Sequence, residues 1–111
     1  AIAGVTMAWP VLFIAGLFEI LWAWAMKQSA GFSKTPFVVV MVVAMIVSFW
    51  LLAIAMRNLP LGTAYAVWTG IGVVGAFVIG IAFLGEAATP LRLLAAGLIV
   101  AGLVLMKIAS D

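Results

Sequence analysis

The sequence predicts an all-α membrane protein of four transmembrane helices. Two observations carry that reading. Of the 111 residues, 69% are hydrophobic and only 7% charged, more apolar surface than a soluble domain of this length has interior to hide. The apolar residues also gather into four runs, each long enough to cross a bilayer at ~1.5 Å per residue. No alternating strand pattern accompanies them, and in lipid only helices and closed barrels satisfy their own backbone.

Residues 1–6, Ala1 to Thr6, read as an N-terminal extension or remnant ahead of a single four-helix domain at 7–111. The runs predict helices at about 8–27, 36–56, 62–84 and 90–108. Pro10, Pro36, Pro60 and Pro90 each fall at or just before a run's start, where a missing N–H costs nothing. The breaks at 28–35, 57–61 and 85–89 are too short for another domain, so the helices run up and down. The first run is no signal peptide. It lacks a basic leader, carries a central acid and ends in Lys27 rather than small residues.

The net charge of +2 is too small and too dispersed for a nucleic-acid surface. The chain has no cysteine and no histidine, which removes disulfides, thiolate metal sites and the usual zinc set. No cofactor is implied, and nothing points to an enzyme. Four spans place Arg57 and Lys107 on the side of the N-terminus, and Lys27, Lys34 and Arg92 on the other. That near balance gives the positive-inside rule little to act on. A weakly biased single orientation and insertion both ways round, with opposite copies pairing antiparallel, both remain open.

In the first run one carboxylate, Glu19, stands in the middle of the apolar stretch from Ala8 to Met26. At that depth an ionisable group costs at least about 2–3 kcal/mol and marks a functional site by default. The other acids, Glu86 and Asp111, lie outside the runs. Spacings of three and four put Gly16, Glu19, Trp22 and Ala23 on one helix face. In the second run Ser48 lies at matching depth; it either bonds its own helix's i−4 carbonyl or serves the site. The third run places Tyr65, Trp68, Thr69 and Gly72 on one face. Tyr65, near the run's start, is either an interfacial belt residue or a site residue.

Gly70 to Gly75 spells Gly-x-Gly-x-x-Gly, but no strand precedes it and it lies inside a span, so a dinucleotide loop is rejected. These glycines serve instead to bend the helix or admit a close neighbour. The fourth run has no polar residue between Arg92 and Lys107. Its small residues, Ala95 with Gly102 and Gly97 with Ala101, make it a packing helix.

The candidate site is therefore an acid, a hydroxyl, a phenol and two indoles, with no protein cation. A carboxyl stripped of water holds its proton more readily, and an arriving cation expels it. One proton or one cation per carboxylate is a sufficient basis for exchange. A flat guanidinium-like cation suits the lining, because it can fork onto a carboxylate and stack on indole. A single chain is thin-walled for such a cavity; two chains, each contributing a Glu19, would make a better one.

From Met7 to Ser110 the chain resembles the small multidrug resistance family of proton-coupled cation exporters. The resemblance rests on Ala15-Gly16-Leu17-Phe18-Glu19, Met26-Lys27-x-Ser29-x-Gly31-Phe32, Ser48-Phe49-Trp50-Leu51-Leu52, and Leu59-Pro60-x-Gly62-Thr63-Ala64-Tyr65-Ala66-Val67-Trp68-Thr69-Gly70-Ile71-Gly72. Trp22, three residues after Glu19, is similar to the guanidinium-exporter subtype. The resemblance implies an antiparallel homodimer, possible dual topology, and a multi-pass place in a prokaryotic inner membrane. It implies that Glu19 binds proton or substrate in alternation. Ser48 and Trp68 would position that carboxylate by hydrogen bonds, with Trp22 lining the site and Tyr65 linking the two carboxylates' states. Gly70 and Gly72 would allow a bend of helix three, and helix four would dimerise. The leader at 1–6 has no counterpart in the family.

The expected activity is proton-coupled export of guanidinium and small guanidinyl compounds. The competing readings are a broader quaternary-ammonium or multidrug exporter, a non-transporting subunit of a heteromeric membrane complex, and a passive cation channel.

Overall fold

The computed structural model describes residues 2–110; Ala1 and Asp111 lie outside the described residues. Four helices follow in order: α1 Ile2–Gln28, α2 Thr35–Ala55, α3 Leu61–Phe83 and α4 Pro90–Ser110. All four are long and apolar enough to cross a membrane.

Local chemistry sets most of the ends. Ser29, fully buried, donates its hydroxyl to the Met26 carbonyl (2.7 Å) and accepts the Phe32 N–H (3.1 Å). That closes the turn after α1, with Gly31 at φ +73. Pro36 occupies the first turn of α2 and Pro60 the cap position of α3. At the end of α3 the Gly80 carbonyl accepts the N–H groups of both Leu84 (3.2 Å) and Glu86 (3.0 Å). Gly85 sits between them at φ +71, a helix stop that favours glycine. Thr89 then accepts the Arg92 N–H (3.2 Å), and Pro90 opens α4.

One expected boundary is corrected. The helix does not begin near Pro10 but at Ile2, leaving Pro10 inside α1. Residues 2–6 contain no proline, and the helix continues through Gly4 into α1. Gly4 even packs against Asn58, since a Cβ there would lie 2.7 Å from its Oδ1.

Helix α1 is the hub, packing against both α2 and α3, while the backbone of α4 comes close only to that of α3. The buried core is built from Ala8, Leu12 and Ala15 of α1, Leu52 and Ala55 of α2, Leu59 before α3, and Ala64, Val67 and Trp68 of α3. Small residues at these contacts let helices approach closely, where packing rather than water drives association. No residue of α4 is buried. The molecule is a slab of 45 × 35 × 17 Å, only about one to two helix diameters thick.

Candidate functional site

The approach of α1 to α3 is built on glycines. A Cβ at Gly16 would meet Ile71, one at Gly75 would meet Ile20, and one at Gly72 would overlap the Glu19 carboxylate. Removing those Cβ atoms lets the acid lie directly on the α3 backbone. Glu19 Oε1 is buried there without a hydrogen-bond partner. Two further buried polar atoms are likewise unpaired, Nε1 of Trp22 and Oγ1 of Thr69. In lipid such groups are expensive. All three lie on the helices that meet at Gly72: Trp22 is one turn beyond Glu19 on α1, and Thr69 one turn before Gly72 on α3.

Ser48 and Trp68 take a different part. Ser48 is fully buried and does not bond its own helix. Its hydroxyl donates across to the Ala15 carbonyl of α1 (2.7 Å) and accepts the indole N–H of Trp68 from α3 (3.0 Å). This relay ties three helices together. It ends on the carbonyl one turn before Glu19, the one that helix geometry pairs with the acid's own N–H. The bonds of Ser48 and Trp68 thus fix the backbone under Glu19 rather than the carboxylate itself.

An aromatic chain runs alongside. Trp22 meets Phe49 edge-on at 6.4 Å, Phe49 meets Trp68 at 5.6 Å, and Trp68 meets Tyr65 at 5.6 Å. Such ring pairs stabilise fixed geometry beyond their area alone. Phe49 is the member that sequence reasoning missed; its only signal was its place beside Ser48. Tyr65 is 55% exposed, so its ring touches Trp68 while much of its surface faces outward.

Gly70 faces away from this cluster. A Cβ there would strike Leu103 of α4, which makes Gly70 the seat of α4 on α3. The small residues Ala95, Gly97, Ala101 and Gly102 of α4 are exposed, and a Cβ at Gly97 or Gly102 would meet nothing within 4 Å. Ala95 also lines a cleft with Val73, Val74 and Phe77 of α3, whereas Gly97 and Gly102 face open space among the described residues.

The second described carboxylate, Glu86, is a separate matter. It folds against Gly80 at the end of α3 and pairs with Arg92 at 3.4 Å, both side chains about two-fifths exposed. A cleft of about 370 Å³ is lined by Trp9, Phe13, Val67, Ile71, Leu103 and Lys107, among others. It does not include Glu19. Apart from Lys107, whose ammonium lies 4.8 Å from the Trp9 ring centre, its lining is apolar and suits lipid rather than a cation.

Four helices long and apolar enough to cross a membrane, with a carboxylate set where α1 meets α3, define a small multi-pass membrane protein. The family described as Small Multidrug Resistance protein matches residues 7–109. The chain is 54% identical over 104 residues to a protein named guanidinium exporter from Citrobacter freundii, covering 94% of this chain and 99% of that one. Like-named proteins of Yersinia pestis and Salmonella typhimurium (strain LT2) are 54% and 51% identical, at the same coverage of this chain. The chain belongs to the small multidrug resistance family. It is accordingly a multi-pass transport protein of a prokaryotic inner membrane.

Proposed function

We propose that this protein is a transporter, not an enzyme, that exports guanidinium ion and small guanidinyl compounds in exchange for protons. The observation that carries the reading is the Glu19 oxygen, buried against Gly72 without a partner. A carboxylate with one oxygen buried and no cation paired to it among the described residues can take a proton or an external cation, and the two exclude each other. The relatives' printed name, guanidinium exporter, supports the choice of cation, as does the indole of Trp22 beside the acid.

In this reading Glu19 alternates between proton and substrate, and the Ser48–Trp68 relay keeps its helix turn in register. Tyr65, its ring tilted against Trp68, passes the state of one carboxylate to the other across an antiparallel homodimer. Two chains would enclose what a slab 17 Å thick leaves open. The unfilled small-residue face of α4 (Ala95, Gly97, Ala101, Gly102) would pair the copies. Gly72, flanked by Gly70, would let α3 bend as access alternates between the two sides.

Purified protein in liposomes tests this. Guanidinium should evoke a current that Glu19→Gln abolishes while the protein still folds. Flux that persists in Glu19→Gln, or that needs no proton movement, would point to a channel and overturn the proposal.

A further inference from the structure

We infer that Thr69 is a specificity-determining residue whose hydroxyl accepts a hydrogen bond from the N–H of a guanidinium held on Glu19. The inference rests on the guanidinium reading above and extends it to a residue that reading leaves without a role.

Three buried polar side-chain atoms among the described residues lack a partner: Glu19 Oε1, Trp22 Nε1 and Thr69 Oγ1. Their chemistries differ. The indole N–H only donates, so it can serve the carboxylate but never a cation. The carboxylate accepts, and a guanidinium forked onto it spends the N–H groups of one edge. A planar guanidinium still carries N–H bonds pointing away from that edge, and each needs an acceptor once water is gone. Thr69 Oγ1 is the one neutral oxygen in this unpaired set. It lies three residues before Gly72, on whose backbone Glu19 rests, and residues so spaced are neighbours on a helix face.

The unpaired state of this hydroxyl is itself informative. A threonine inside a helix usually donates to the carbonyl four residues back, here that of Tyr65, yet Thr69 Oγ1 is buried without any partner. Its neighbour Trp68 already has Ser48, so the relay does not use Thr69. A hydroxyl accepting from substrate keeps its own proton free to turn back onto the Tyr65 carbonyl. Quaternary ammonium ions have no N–H to offer, so the hydroxyl should favour guanidinium over them.

The test compares wild-type protein, Thr69→Val, Thr69→Ala and Thr69→Ser in detergent, titrated with guanidinium and with tetramethylammonium, reading tryptophan fluorescence. Valine keeps the shape and branching of threonine and removes the hydroxyl; alanine serves if valine fails to fold. We expect guanidinium affinity to fall about tenfold or more in the hydroxyl-free variants, as for a lost bond to a charged group. Serine should restore it to within about threefold. The preference for guanidinium over tetramethylammonium should fall by the same factor as the affinity. Equal weakening for both cations would reveal a packing role and overturn the inference, as would unchanged guanidinium binding in Thr69→Val. A wild-type protein that binds no guanidinium would overturn the functional reading and this inference together.

Discussion

At the scale of single residues, the site depends on what is absent as much as on what is present. Gly72 has no Cβ where one would overlap the Glu19 carboxylate. The methyl of Gly72→Ala would add about 1–3 kcal/mol of overpacking if nothing moved. The acid is flexible enough to swing away, so the helix should survive and the site should not. Guanidinium flux in liposomes should fall about tenfold or more, since 1.4 kcal/mol is a factor of ten, with helix content by circular dichroism unchanged; wild-type flux would show that the contact is idle. Ser48→Ala acts through the backbone instead. It strands the Trp68 indole N–H and frees the Ala15 carbonyl of its cross-helix bond. Interhelical bonds in membranes average about 0.6 kcal/mol and reach about 1.7, so two of them predict a loss of about 1–2 kcal/mol in a denaturant titration. A third variant, Trp22→Gly, should widen the substrate range towards bulkier cations by removing one wall, measured as flux of a larger quaternary ammonium; unchanged selectivity would separate Trp22 from specificity.

At the scale of the helices, the sequence was legible where composition alone decides and silent where orientation does. The apolar runs predicted all four helices, and the starts and ends of α2, α3 and the start of α4 fall within one residue of expectation. The start of α1 does not, because residues 2–6 contain no proline and Pro10, which marks a start in sequence, lies inside the helix. Glu19 stood out as an acid in lipid, and Gly72 as a glycine on its facing helix. Whether Ser48 would bond its own helix or a neighbour depends on helix rotation, which periodicity in a uniformly apolar run does not reveal. Phe49 was hidden for the same reason, one aromatic among many. Gly70 and Gly72 looked alike in sequence, yet two residues on a helix point about 200° apart. One therefore faces Leu103 of α4 and the other Glu19. The stop of α3 yields a prediction at this scale. Gly85 sits at φ +71, so Gly85→Ala should cost about 1–2 kcal/mol in unfolding by denaturant, with guanidinium transport retained; no loss would mean that the turn relaxes freely.

At the scale of the whole molecule, a slab 17 Å thick with an unfilled small-residue face on α4 invites a second copy. Gly97→Val with Gly102→Val should shift the protein towards monomer in single-molecule photobleaching, because both positions face open space among the described residues and the added side chains meet only a second copy. A dimer fraction equal to wild type would place the contact elsewhere. These changes leave Glu19 untouched, so transport lost with the dimer would show that one chain does not complete the site.

The central claim is that a single carboxylate holds either a proton or a guanidinium ion. The most direct measurement is proton release on adding guanidinium to the purified protein in weakly buffered detergent solution. The account predicts acidification that saturates with guanidinium and disappears in Glu19→Gln. Guanidinium binding without proton release in the wild type, at a pH where Glu19 holds its proton, would contradict it.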